Sequence, residues 1–207
     1  MAQDKSGLRA REEIFMKNRV IEISNKRHSF HVVREEHQIE QLLDGDLPND
    51  GVYKMISEGG FSSIGIIRYV ATRTHIKELI ASTLRVGKKH IECLNVLHAQ
   101  RRLDRATFII GSVMKNDSEM GKSYGYYDLL TDIASQNGWK VICKNNHSKV
   151  LLMDTIEGKF VVETSSNLNE NPNMEQFSFE KSEMLFDYYK MAFIGEESAY
   201  EDNQKNG

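Results

Sequence analysis

Several scarcities bound this chain before any motif is read. Its 207 residues include only two cysteines and two prolines. Cys93 and Cys143 belong to no CxxC pair, which argues against a disulfide framework or a zinc site and points to reducing cytoplasm. Long apolar runs are missing too. Stretches such as "FIIGSVM" are far too short to span a bilayer, and the opening "MAQDKSGLRAREEIF" has no apolar core of a secretory signal. Charge of one sign is not in excess: 27 basic residues face 30 acidic ones, for a net charge of −3. The whole chain therefore has no general attraction to nucleic acid or to an anionic membrane. Any phosphate binding has to come from a local patch. The expectation is a soluble, cytoplasmic protein with no membrane contact.

What is present is ordinary for a folded protein. Hydrophobic residues make up 40% and charged residues 28%, enough for a core of useful size. Length suits one domain with an extension, or two small ones. The turn-rich "DGDLPNDG", which holds Pro48, marks a boundary between an N-terminal segment (1–50) and a main domain (51–195). "NRVIEIS" and "HSFHVVRE" read as short strands and "HQIEQLL" as a helical turn or two. The tail 196–207 has little to bury and is expected to be disordered.

Within the main domain strand and helix alternate. "IGIIRYVA" (64–71) is a continuous apolar run of buried-strand type. "THIKELIASTL" carries Ile76, Leu79, Ile80 and Thr83 at helical spacing, and "KKHIECLNVLHAQRR" repeats that period. "ATFIIGSVM" (106–114) reads as a strand and "KNDSEMGKS" as a loop. "YGYYDLLTDIASQN" is a helix with Tyr126, Leu129, Leu130 and Ile133 inward. It ends at Asn137-Gly138, because glycine accepts the left-handed conformation at a helix end. "WKVICK", "SKVLLMD" and "KFVVETS" are three strands close together, and "EKSEMLFDYYKMAF" is a last amphipathic helix. The class is α/β, with a largely covered sheet.

The stretch with chemistry in it is "NNHSKVLLMD" (145–154). On a strand, side chains two apart share a face, so His147 and Lys149 point the same way and Asp154 the other. The following strand runs into "TSSNLN". A three-residue loop of Ile156, Glu157 and Gly158 pairs His147 with Asn167 and Lys149 with Ser165, all on one face. A two-residue Glu157-Gly158 turn shifts the register by one and moves Asn167 away. An imidazole can attack phosphorus and form a covalent intermediate. A lysine neutralises non-bridging oxygens, and serine and asparagine donate hydrogen bonds to them. None of this needs a metal or another cofactor. His28, His31, His37, His75, His90 and His98 have no consistent partners and read as structural or surface residues.

At these residues the chain resembles the phospholipase D superfamily, in its nuclease-like branch. "HSKVLLMD" fits HxKxxxxD and "TSSNLN" is close to the GSxN element that follows it. The resemblance implies a mixed sheet flanked by helices, with a short N-terminal extension. It also implies phosphodiester cleavage through a phosphohistidine, with His147 as nucleophile and Lys149, Ser165 and Asn167 holding the phosphate. Glu175, in "NPNMEQF", takes the place of the acid that orients the histidine. Family members use two motifs, so a chain with one implies a homodimer that brings two His147 side chains together at the interface. The expected substrate is DNA or RNA. Thr164 stands where the family has glycine, and the gap between Asp154 and Ser165 is long. These departures motivate an alternative, a nucleic-acid-binding module of the same fold with impaired catalysis.

Overall fold

The computed structural model describes residues 26–33, 38–43, 45–123, 125–169 and 172–195. Its strands are β1 (Arg27–Val33), β2 (Gly51–Ser57), β3 (Ile76–Thr83), β4 (Leu103–Gly111), β5 (Lys140–Lys144), β6 (Val150–Thr155), β7 (Lys159–Thr164) and β8 (Glu175–Lys181). Its helices are α1 (Gln38–Leu42), α2 (Ser63–Arg73), α3 (Lys88–Ala99), α4 (Ser112–Glu119), α5 (Tyr127–Asn137) and α6 (Glu183–Ile194). The strands form one mixed sheet in the order β1-β2-β8-β7-β6-β3-β4-β5. The chain is thus α/β, with an eight-stranded mixed sheet.

Successive residues of a strand face opposite sides, and the two sides are buried differently. Leu79, Ala81, Phe108, Ile110, Leu151 and Met153 share one core with residues of α1 to α5. Ile80, Ile109, Leu152 and Val161 share the other with Phe186 of α6. The helix α6 covers only part of its face. On the same side, Phe30 and Val32 of β1 and Ile56 of β2 are 76%, 57% and 39% exposed. β1 pairs parallel to β2 and adds an edge to the same sheet.

The helix at 127–137 ends as expected. Gly138 has φ +67°, and the Trp139 N–H reaches the Ala134 carbonyl at 2.8 Å. The helix at the C-terminal side also forms, and Ser182 caps it by accepting from the Leu185 N–H at 3.3 Å.

Three expectations are corrected. The run at 64–71, read as a strand, lies inside helix α2, and the run at 76–83, read as a helix, is strand β3. Both are buried almost all round, so neither shows the alternation or the stripe that separates the two states. Residues 112–119, read as the end of a strand and a loop, form α4.

The third correction is the hairpin register. Val150 pairs with Glu163 and Asp154 with Lys159, one residue away from the three-residue loop and on the opposite side from the two-residue alternative. Thr155 is the cause. Its hydroxyl donates to the Gly158 carbonyl at 2.8 Å and accepts from the Glu157 N–H at 3.1 Å, while its own N–H donates to Gly158 O at 3.0 Å. A threonine that bonds two residues on closes a tight local turn. Lys149 therefore lies across from Thr164, whose N–H donates to the Lys149 carbonyl at 3.1 Å. The strand proposed at 18–24 and the tail at 196–207 lie outside the described residues.

Candidate functional site

His147 and Lys149 do not stand on a strand. They belong to the segment joining β5 to β6, at the end of the sheet where β3 and β4 finish. Asn146 holds that segment in place. Its carboxamide oxygen accepts from the Ser148 N–H at 3.0 Å, closing a turn with His147 at its tip. The amide nitrogen shares its two hydrogens among Ile109 O at 2.8 Å, Ser82 Oγ at 3.0 Å and Thr83 O at 3.2 Å. Two of those oxygens are carbonyls, which only accept, so the orientation of the amide is fixed by its surroundings.

The serines complete a closed ring. Ser148 Oγ donates to Asn146 Oδ1 at 2.7 Å, so in the 2.5 Å contact between Ser82 and Ser148 the proton comes from Ser82. Ser82 Oγ in turn accepts from Asn146. Gly111 leaves room for this arrangement. A Cβ there would meet Asn146 O at 2.9 Å and Leu84 O at 3.0 Å, both main-chain atoms that cannot swing aside.

His147 is exposed and Lys149 half-buried. The Lys149 ammonium donates to His147 Nδ1 at 3.1 Å and to the His147 carbonyl at 2.6 Å. An ammonium has no lone pair, so Nδ1 is the acceptor and the ring proton sits on Nε2. Burial lowers the Lys149 pKa below its ordinary range, and the charge of Glu175 works against that fall. Glu175, at the start of β8, is itself buried. Its carboxylate accepts from the Ser165 hydroxyl, and Ser165 Oγ accepts from the Gln176 N–H at 3.0 Å.

Four of the five expected residues thus form one series: His147 touches Lys149, Lys149 feels Glu175, and Glu175 holds Ser165. Asn167 faces the end of β3, where its side-chain oxygen accepts from the Leu84 N–H at 3.2 Å. Thr164, in the place of the family's glycine, has its hydroxyl donating to Gln176 O at 2.8 Å and accepting from the Ser166 N–H at 2.9 Å. Asp154 lies at the far end of β6 in an ion pair with Lys77 at 3.8 Å. Asn146, Ser148 and Ser82 were not anticipated. The one available signal was an asparagine two residues before a serine, a spacing that favours a side-chain-closed turn.

The site opens onto the uncovered sheet face. A pocket of about 760 Å³ there is lined by Phe30, Val32, Lys54, Ile56, Lys149 and Gln176 among others. Among the described residues no group of three or more His, Cys, Asp or Glu side chains is placed to hold a metal ion. No helix among them is long and apolar enough to cross a membrane.

No family model matches the chain, and no curated protein matches it. Among solved structures it is similar to a polyphosphate kinase from Porphyromonas gingivalis, with a TM-score of 0.56 and 13% identity. That match covers 77% of this chain but 29% of the kinase chain, so the protein spans less than a third of that neighbour's length. The expected membership of the nuclease-like branch of the phospholipase D superfamily is corrected by these findings: no family model supports it, and the structural likeness is to a polyphosphate kinase. What the likeness carries is the fold.

Proposed function

We propose that the protein cleaves phosphodiester bonds of DNA or RNA through a covalent intermediate on His147. The observation that carries this reading is the 3.1 Å contact between the Lys149 ammonium and Nδ1 of an exposed histidine. A cation and a nucleophile that close together are arranged for a group carrying negative charge on oxygen and an electrophilic centre between them, which describes phosphate. A structural neighbour named for polyphosphate is consistent with phosphorus chemistry on such a fold.

In the proposed reaction the phosphate draws the Lys149 ammonium away from Nδ1. Nδ1 takes up a proton from solvent water and Nε2 releases its own to solvent, so the neutral imidazole changes tautomer and the freed Nε2 lone pair attacks phosphorus. The phosphorus–oxygen ester bond breaks as the phosphorus–nitrogen bond forms. The leaving alkoxide takes a proton from the His147 of a second copy, which acts as an imidazolium and is left as neutral imidazole. Water then attacks the phosphohistidine, giving its proton to the second copy's now neutral His147, and the phosphorus–nitrogen bond breaks to release the phosphate and restore the imidazole. Lys149 stabilises the oxygens whose charge grows in the transition state, joined by Ser165 once its hydroxyl turns from Glu175 to the phosphate. A second copy is supported by the apolar outer stripe of α6, where Met184 and Tyr188 are exposed, beside the exposed Phe30, Val32 and Ile56 of the same sheet face.

One observation favours the binding-only alternative. Asn167 and Ser165 already have partners within the fold, so two of the expected phosphate donors have structural work to do. The test is cleavage of labelled single- and double-stranded DNA and RNA in excess EDTA, with His147→Ala in parallel and inorganic polyphosphate as competitor. Cleavage by the wild type alone, inhibited by polyphosphate, supports the proposal. Binding without cleavage by both proteins supports the alternative. Cleavage by both proteins overturns the role of His147.

A further inference from the structure

We propose that Asn146 is a positioning residue that sets the pose of His147. The inference rests on the reading above for its effect on turnover, but not for its effect on the imidazole.

Three observations converge. First, the Asn146 side chain closes the turn that has His147 at its tip, through the Ser148 N–H at 3.0 Å. Second, the same side chain ties that turn to two different strands, reaching Thr83 O at the end of β3 and Ile109 O near the end of β4. Third, it belongs to a closed ring of hydrogen bonds with Ser82, which is fully buried, and Ser148. Each member of such a ring donates once and accepts once within it, so each bond polarises the next.

The consequence is geometric. His147 has an exposed side chain, and its main chain is fixed from two sides: by Asn146 through the turn, and by the Lys149 ammonium on its carbonyl at 2.6 Å. Lys149 has to leave when it turns to a phosphate. Asn146 does not, because its partners are main-chain atoms and serines at the strand ends. It is the constraint that persists while the imidazole reacts. A ring held this way keeps its attack direction; one that drifts by about 1 Å loses on the order of a hundredfold in rate.

The test uses the full chain and three readouts: hydrogen exchange of the Ser148 amide, the ring ¹⁵N shifts of His147, and kcat and KM for cleavage. In Asn146→Ala, the Ser148 amide exchanges about tenfold faster or more, since its acceptor is gone. The ring shifts move from the Nε2–H tautomer towards an average of the two, and kcat falls about a hundredfold while KM changes little. Asn146→Asp keeps an acceptor for the Ser148 N–H, so it restores amide protection and part of kcat. A folded Asn146→Ala with wild-type Ser148 exchange and wild-type His147 shifts overturns the proposal. If Asn146→Ala does not fold, Asn146→Asp decides. Ring shifts altered from wild type then support the proposal, because the anchors to Thr83 and Ile109 are lost, and unaltered shifts overturn it. A wild type that cleaves nothing, with the two spectroscopic readouts still moved by the variants, overturns the catalytic reading and leaves the positioning role standing.

Discussion

The two ends of β6 are each fastened by a short polar side chain that folds back onto its own main chain, and the fastenings differ in reach. At the far end, the Thr155 hydroxyl bonds to Glu157 and Gly158, within its own turn. At the near end, Asn146 bonds to Ser148 in its own turn and also to β3 and β4. The local fastening sets a register. The long-range one ties the turn that carries His147 to the body of the sheet. A side chain that satisfies only its neighbours stabilises a conformation, whereas one that also reaches two strands sets where that conformation sits.

The comparison can be broken most severely at the near end. Gly111→Ala places a Cβ against two main-chain oxygens. It is expected to cost about 1–3 kcal/mol of stability, the range for overpacking. It should also displace the His147 segment enough to remove most cleavage activity, as measured by chemical denaturation and single-turnover assays. A smaller and purely structural effect is expected at Asp117. Lys122 and then Arg85 hold its carboxyl below the ordinary 3.8. A lowered carboxyl pKa adds stability above the unfolded value, and that stability is lost as pH falls through the folded one. Acid unfolding of the wild type should therefore steepen below about pH 4, and Asp117→Asn should flatten that limb.

Lys149 gives the same direction of pH dependence at the alkaline end of the scale, although its lowered pKa costs stability where the group is charged. Burial lowers its pKa from the ordinary 10.5, so between the folded and unfolded values the unfolded chain binds more protons. Stability relative to Lys149→Met should rise as pH climbs towards 10.5, and unfolding curves at pH 7 and pH 10 measure the difference. At the far end, Thr155→Val removes two hydroxyl bonds and should cost about 1 kcal/mol with cleavage unchanged. Gly158→Ala is the mildest change. Its φ of +129° disfavours a side chain, but the nearest obstacle is the flexible end of Lys181, so a loss of under about 1 kcal/mol is expected by thermal melting. Loss of activity in Thr155→Val would erase the distinction between the two ends.

The same contrast explains how much was legible in the sequence. Features set by local chemistry could be read: the glycine cap at 138 and the helix from Glu183. Features set by tertiary burial could not. In α2, Ile64, Ile66, Ile67, Tyr69 and Val70 are all buried, and β3 is buried on both faces from Leu79 to Ala81. Burial on every side removes the periodicity that tells helix from strand, so the two assignments changed places. The register was missed because the Thr155 hydroxyl draws residue 155 into the loop, in which Gly158 still takes a positive φ. Asn167 was expected at a phosphate and is bonded to Leu84, because a strand end needs an acceptor for its last amide.

That last bond gives the molecule a built-in reporter. The Leu84 amide donates to the side chain of Asn167 rather than to a main-chain carbonyl. Its protection from solvent deuterium therefore follows the seating of one side chain, not the integrity of the sheet. Any ligand that pulls Asn167 towards itself releases a single main-chain proton just past the end of β3. That proton can be followed in the intact protein without a label at the site.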